Sequence, residues 1–561
     1  DLLHETFPEC GHPVFHGTIG LESTRGPAKN QEGGSAVNRV LSGVGILALL
    51  VALSLPGQSA PAAPQPGGVL IVGRGVDSVT LSPYATAAPD AEVIAHVAET
   101  LYELTPEGRI VPKLAESMPR VSADGRTMTI RLRRGIRFHD GTPFDAHAVK
   151  WNFDFILNPE NRVPFRGILL GEVASVDVLD RYTVRLHLRR PFVPLLAHLT
   201  HDFLAIHSPA AVERAGGMRP PNGEPYGRQP VGTGPFRLRE WVRGDRIVLE
   251  RNPDYWGPRK PLLDQIVWRA IPDDGARVLA LEGGQVHVAV RVPPRETTRL
   301  ALNRALRIDR TNSVRTIFIA FNNQKFTDVR VRQAFNYAVN KRAIVQTVLG
   351  GAARVSDAPI SPGIVGYAPI QPGGWPYDVN RAKQLLAEAG YGGGLTVTLL
   401  HPTGRYVQDA AVAAAVQAQL RAAGIHARLQ TMEWAAYLAY TNQPVDRTPV
   451  EAFMLGWGTV TGDADYGLFS LFHSSQWAPA GFNRAFYRNP QVDQLLDQAR
   501  SELNPARRAD LYKQAMTLIW RDAPWIFLHS ESQTTGVRRE VQGLVVHPTE
   551  RILAHTAWLR R

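Results

Sequence analysis

A chain of 561 residues, 44% hydrophobic and 20% charged, has enough apolar material to bury a sizeable core and to divide into more than one lobe. Its formal net charge of +11 is carried mostly by Arg scattered among Ala, Gly and Pro, with no long basic run and no aromatic-interleaved stripe, which excludes a nucleic-acid partner as the expectation. The one cysteine, Cys10, precedes the globular part, which therefore holds no disulfide, no thiol chemistry and no thiolate zinc site.

Residues 1–36 are polar, Gly-rich and aperiodic and read as a non-native or disordered N-terminal extension. Arg39 then precedes an apolar run, Val40 to Leu55, followed by Pro56-Gly57 and the small residues Ser59 to Ala63. That order is a signal peptide over 37–62 with cleavage near Ala62. The run is too short, and too rich in Gly and Ser, to favour a membrane span. No Cys follows it to carry a lipid anchor, so a periplasmic protein is expected.

The globular chain opens on a buried strand, Gly67 to Gly73. Gly73-x-Gly75 lacks the third glycine of a dinucleotide fingerprint, and that reading is discarded. A helix is expected over Val93–Leu104, then a turn at Pro106-Glu107-Gly108. Thr127–Leu132 and Thr183–Leu188 alternate as strands, and Asp145 can cap a helix carrying Val149, Trp151 and Phe153. His139 and His187 read as surface histidines. Gly232-Thr233-Gly234-Pro235-Phe236 is a tight turn into a strand, and Arg246–Glu250 continues the sheet.

After Thr316 the pattern becomes β/α alternation. Ile317–Phe321 is a strand ending at Asn322-Asn323, and Val331–Val339 is a helix. Ala382, Leu385, Leu386 and Ala389 form a helical stripe stopped by Gly390. Leu395–Leu400 is a strand, followed by a helix with Val412, Val416 and Leu420 on one face and by strands at Ile425–Leu429 and Ala452–Leu455. Asn489-Pro490 and Asn504-Pro505 each place an N-cap before a first-turn Pro. Trp525–Leu528 is a last strand.

Catalytic signatures are missing: there is no Gly-x-Ser-x-Gly, no His-Glu-x-x-His and no phosphate-cradling Gly-x-x-x-x-Gly-Lys-Ser/Thr. Asp463-x-Asp465 with His473 is too small a set for a metal, and nothing beside the two carboxylates suggests a reacting centre. No enzyme activity, metal or cofactor is expected. After Ala452–Leu455 the chain breaks into small residues that free the backbone to turn. It then presents Trp457, two hydroxyls and two carboxylates within nine positions. Alone this is a surface turn; an aromatic wall with a few placed polar groups is also what a small-molecule pocket needs.

Several segments carry a resemblance. Pro112-x-Leu114-Ala115-Glu116-Ser117, the run Leu132-Arg133-x-Gly135-Ile136-Arg137-Phe138-His139-Asp140-Gly141-Thr142-Pro143-Phe144, Gly232 to Phe236, Arg251-Asn252-Pro253-Asp254-Tyr255-Trp256, Val331-Arg332-Gln333-Ala334-Phe335 and Ala382-x-x-Leu385-Leu386-x-x-Ala389-Gly390 resemble the family 5 extracellular solute-binding proteins of ABC importers. The likeness runs over roughly 67–545. Gly456-Trp457 through Asp463-Ala464-Asp465-Tyr466 to Phe482-Asn483-Arg484-x-Phe486-Tyr487 is similar to the glutathione-binding subset.

The resemblance implies an α/β, two-lobed periplasmic binding protein fold with mixed sheets, of the type II or cluster C kind, with a hinge between lobes and the ligand cleft at their interface. Lobe I would be 63–315, with an inserted subdomain at about 105–225, and 530–561 would return to it; lobe II would be 316–529. It also implies a monomer that traps a small peptide-like ligand, glutathione or a short peptide, by hinge closure and delivers it to an ABC permease and its ATPase at the inner membrane. The alternatives are the same fold binding a nickel chelate or other non-peptide solute, or, in a different class, a hydrolase or a receptor-docking sensor.

In dipeptide-binding relatives an Asp three positions after the Trp of this stretch receives the ligand's α-ammonium. Here Val460 stands there and cannot pair with it, so the contact would fall to Asp463 or Asp465. Arg405, in Thr403-Gly404-Arg405-Tyr406, matches the position where those relatives hold the ligand carboxylate. Trp457, Trp434 and Phe321 are candidate walls, with Asn322 and Thr461 as neutral hydrogen-bond partners; for Trp434 a place in the core is the preferred reading.

Overall fold

The computed structural model describes residues 63–561; the extension and export signal expected over 1–62 lie outside the described residues. Eleven strands join in one mixed sheet. In chain order they are β1 (Val69–Arg74), β2 (Phe236–Val242), β3 (Arg246–Arg251), β4 (Gln265–Ala270), β5 (Val288–Ala289), β6 (Leu306–Phe321), β7 (Ala353–Val355), β8 (Leu395–His401), β9 (Ile425–Thr431), β10 (Ala452–Gly458) and β11 (Trp525–Arg538). They lie in the order β2-β3-β4-β1-β5-β11-β6-β10-β8-β9, with β7 paired to β11.

The two long strands make this one sheet. β6 and β11 pair antiparallel from Leu306 opposite Arg538 to Ala320 opposite Trp525, and the register shifts between Asn312 and Thr316 and again after Ile317. Such irregularities bend and twist a strand pair. The first half-sheet joins at the far end of β11, where Val288 faces Val537. The second joins the last part of β6, where Arg315 faces Gly458 and Phe321 faces Ala452. The register break thus lies between the two half-sheets.

The helices that matter for the site are α1 (Ala88–Val97), α2 (Asp409–Ala422), α3 (Trp434–Thr441), α4 (Ala464–Phe472), α5 (Pro490–Ser501) and α6 (Pro505–Asp522). α2 bridges the parallel pair β8/β9, burying Val412, Val416 and Leu420. Asn489 and Asn504 cap α5 and α6 through their side-chain oxygens, each before a first-turn Pro. Between β1 and β2 the chain builds a separate four-stranded sheet from segments between Arg120 and Leu188. Asp145 caps the helix Ala146–Leu157 beside it, accepting from the His147 and Ala148 N–H groups. No helix among the described residues is long and apolar enough to cross a membrane.

Four local expectations change. The helix expected over Val93–Leu104 ends at Val97, because the Val97 carbonyl accepts the Gly234 N–H at 3.0 Å and Tyr102–Leu104 pairs with Ile110–Pro112. A Cβ at Gly232 would sit 2.3 Å from that same carbonyl oxygen, so the glycine turn is shaped to the helix end. The strand expected at Ile317 begins at Leu306: its polar first half has no hydrophobic alternation and is held by pairing with β11. Ala452–Leu455 does not break at Gly456 but stays paired with β6 through Gly458. His139 is packed rather than solvated. Its Nε2 lies 2.9 Å from the Gly234 carbonyl oxygen, and burial lowers its pKa to about 4.

Candidate functional site

A cavity opens where the two half-sheets meet. It is lined by the end of β10, the start of α1, the loop before α2, the segment His201–Phe203 and the C-terminal residues Thr549 and Arg551. Its free volume is about 70 Å³. That holds a handful of waters, so anything peptide-sized requires the walls to part.

Glycine backbones set the geometry. A Cβ on Gly456 would lie 2.5 Å from Ile317, 2.8 Å from the Tyr406 ring and 2.9 Å from Arg315. Only a bare backbone lets those side chains cross over β10. Arg315 uses the space to donate to the Gly456 carbonyl at 2.7 Å. Gly75 and Gly404 meet backbone to backbone across the cleft: a Cβ on Gly75 would stand 2.0 Å from the Gly404 carbonyl oxygen. The second glycine of the incomplete pair Gly73-x-Gly75 thus serves a close approach.

Arg405 projects from a loop pinned by Asp409, whose carboxylate accepts the N–H groups of Gly404, Arg405 and Tyr406 at 3.2, 2.9 and 3.1 Å. The Arg405 side chain is 2% exposed, and its guanidinium carbon lies 4.7 Å from the Tyr406 ring centre and 5.2 Å from that of Trp434. Among the described residues its Nε and Nη1 have no hydrogen-bond partner, and the nearest carboxylate oxygen, on Glu550, is 3.9 Å away. Burial, with repulsion from Arg315, lowers its pKa to about 10, so it remains a cation.

Behind Arg405 lies a buried charge cluster. Glu550 accepts from Arg315 at 2.6 Å, from Ser313 at 3.0 Å and from Arg291 at 3.4 Å. Burial pushes its carboxyl up, but Arg315, Arg291 and Arg405 together hold it below the usual range. Glu531, on β11, accepts the Val407 N–H at 2.7 Å while its second oxygen has no partner. Burial and the Glu550 charge raise its pKa to about 7.

The apolar wall is aromatic. Trp457 sits 5.2 Å from Tyr466 and 5.3 Å from Phe482, ring centre to ring centre, and Phe482 stacks on Phe165 at 4.4 Å. Arg484 also lines the cavity, as does Asp202, the one carboxylate among its described lining residues, which accepts from Arg551 at 2.7 Å.

Of the residues expected at a site, Arg405 and Trp457 line this cavity, together with Val460 and Trp434. Trp434, expected in the core, is both 6% exposed and part of the wall. The others are elsewhere. Phe321 packs on Phe335 at 4.7 Å in the core, and Asn322 holds a turn through the Gln324 N–H and the Val450 carbonyl. Thr461 is buried in the turn before α4. Asp463 caps α4 and is gripped by Arg508. Asp465 is fully buried beside Arg500, 3.2 Å away, and His198, 3.3 Å away; burial raises its pKa, but the Arg500 charge and the contact with His198 outweigh it and hold it low. Neither carboxylate lines the cavity to meet an ammonium, which corrects that expectation: both are spent on buried arginines. Asp202 and Arg484 line the cavity without being expected there. Asp202 carries no sequence signal, and Arg484 stood only inside the Phe482–Tyr487 resemblance.

The family model "Bacterial extracellular solute-binding proteins, family 5 Middle" matches residues 109–479. The chain is 34% identical over 512 residues to the glutathione-binding protein GsiB of Escherichia coli K12, covering 90% of this chain and 96% of that one. It superposes with a TM-score of 0.80 at 28% identity on the periplasmic binding protein DppA of Helicobacter pylori in complex with the peptide STSA, covering 89% of this chain and 99% of that one. The oligopeptide-binding protein AppA of Bacillus subtilis, in complex with a nonapeptide, gives a TM-score of 0.81 at 27% identity, covering 89% and 100%.

Proposed function

Since the chain belongs to the family 5 bacterial extracellular solute-binding proteins, we propose that it is the periplasmic component of an ABC importer that captures a peptide-like solute, glutathione or a short peptide, and presents it to a permease and its ATPase. The observation that carries this reading is Arg405: a buried guanidinium with two unpartnered nitrogens at the wall of an aromatic cavity. A ligand carboxylate supplies the missing acceptors, and a guanidinium fork accommodates it bidentately. Asp202 takes the solute's ammonium in place of the acid that Val460 replaces.

Capture follows from the sheet. The lobes, 63–315 with 530–561 and 316–529, move about the stretch where β6 and β11 break register, Asn312–Thr316 facing Ser530–Ser532. Opening widens a cavity too small for a peptide; closing brings Gly75 against Gly404 again and encloses the ligand between the lobes.

The test is a thermal-shift screen of glutathione, dipeptides, longer peptides and nickel chelates, because a ligand of the folded state raises the melting temperature by mass action. A dose-dependent rise with glutathione or a peptide is the expected result. A rise with a nickel chelate alone, or with none of these solutes, overturns the peptide assignment.

A further inference from the structure

We infer that Arg484 is a second anion-receiving group of the cavity, so that the solute this protein selects is a peptide-like diacid rather than a molecule with one carboxylate. The inference rests on the reading of Arg405 as the first carboxylate site.

Arg484 is buried, 7% exposed, and lines the same cavity as Arg405. Among the described residues its only side-chain partner is neutral: Nη1 donates to the Thr441 hydroxyl at 3.1 Å. That hydroxyl already donates to the Tyr437 carbonyl at 2.9 Å and adds no charge. Nε has no partner, and no Asp or Glu oxygen among the described residues lies within 4.0 Å of the guanidinium. Arg405 apart, the other buried arginines are provided for: Arg74 has Glu92, Arg277 has Asp274 and Arg291 has Glu550. Arg315 has Glu550, Arg500 has Asp465, Arg508 has Asp463 and Arg551 has Asp202. Arg332, which has no carboxylate, spends its fork on the carbonyls of Asp522, Phe326 and Thr327.

A buried cation with one neutral partner is costly to the folded protein unless an anion joins it. Burial lowers the Arg484 pKa only to about 10, so the charge stays. Its position is held. Asn483 anchors the loop by donating to the Tyr487 carbonyl at 2.9 Å and accepting the Tyr487 N–H at 3.1 Å, and Phe482 is stacked into the aromatic wall.

The two cations are anchored at opposite ends of α3. Arg405 stacks on Trp434, the first residue of that helix, and Arg484 bonds to Thr441, the last. Seven residues of helical rise separate those anchors by about 10 Å. Acid groups several bonds apart, as at the two ends of a tripeptide-length chain, suit anchors so placed better than adjacent carboxylates on one carbon.

The experiment is calorimetric titration with glutathione, its glycyl ethyl ester, its γ-glutamyl α-amide and the mono-acid dipeptide Ala-Ala, using the wild type, Arg484→Gln and Arg484→Lys. The wild type should bind the diacid about tenfold or more tighter than either singly blocked form. Arg484→Gln should weaken the diacid by a similar factor and become indifferent to one of the two blocks while remaining sensitive to the other, and Arg484→Lys should recover part of the loss. Equal binding of diacid and blocked forms by the wild type, which needs no variant to fold, overturns the inference. So does unaltered diacid affinity in Arg484→Gln. Tight wild-type binding of Ala-Ala in preference to glutathione removes the diacid inference and leaves the peptide reading standing. No heat with any of the four removes both.

Discussion

Arg508 grips Asp463 through two N–H···O bonds of 2.7 Å, Nη1 to Oδ2 and Nη2 to Oδ1, with both side chains more than nine-tenths buried. Asp463 also caps α4 by accepting the Asp465 N–H at 2.9 Å, and the same guanidinium reaches the Ala499 carbonyl and the Tyr512 hydroxyl. One carboxylate thereby ties the start of α4 to α5 and α6. Replacing Asp463 by Ala strands a buried cation and should cost about 3–5 kcal/mol of stability in denaturant unfolding. Ligand affinity of the molecules that remain folded should change by less than about threefold. A large affinity loss in a variant of normal stability would return Asp463 to the ligand.

Arg405 is expected to behave in the opposite way. Arg405→Ala removes a buried guanidinium that has no close carboxylate, so the unliganded protein should lose little stability or gain some. Binding of a carboxylate ligand should weaken by at least about 2 kcal/mol, roughly thirtyfold in Kd. Calorimetry and thermal unfolding of the same variant separate the two effects. An unchanged Kd would show that the ligand does not use this residue.

These two residues also show what the sequence makes legible. The cap-and-proline helix starts, the apolar stripe of α2 and the strands β8 and β9 could be read locally, because each is stabilised by near neighbours in the chain. The polar half of β6 could not, because its backbone partner, β11, lies more than two hundred residues away. Arg405 was legible only through the family resemblance. Asp463 and Asp465 looked free because their partners, Arg508 and Arg500, sit on helices whose exposed and buried arginines are written with the same letter. Asp202 was invisible for the converse reason: its place in the cavity depends on how the segment after Leu195 packs against Arg551 near the chain's end.

Asp202 should report on the ammonium. If it receives that group, the wild type binds a free-amine peptide about tenfold or more tighter than its N-acetylated form, and Asp202→Asn lowers the ratio towards one. The substitution also deprives Arg551 of its carboxylate, so a fall in melting temperature accompanies it and is no evidence either way. The ratio of the two ligands, measured on one variant, is what decides. A ratio that stays at the wild-type value assigns Asp202 to Arg551 alone.

Glu531 gives the protein a pH dependence of definite sign. Its carboxyl is raised from an ordinary value of 4.5 to about 7 by burial and by the Glu550 charge. Between those values the folded state holds a proton that the unfolded chain has released, so this stabilisation is full below about 4.5 and is lost as the pH rises through about 7. Glu550, held low by its arginines, acts in the reverse direction but at more acid pH, where its carboxylate becomes protonated. Burial lowers the pKa values of His529, on the same strand, and of His201, and both oppose Glu531 on the acid side of neutrality, where the unfolded chain takes up protons that they do not. Comparing wild type with Glu531→Gln cancels those terms, because Gln imitates the protonated acid and can still accept the Val407 N–H. The stability of wild type relative to Glu531→Gln should fall by about 1–3 kcal/mol between pH 5 and about pH 8. A difference that stays flat across that range, or rises, would mean that Glu531 is ionised in the folded protein.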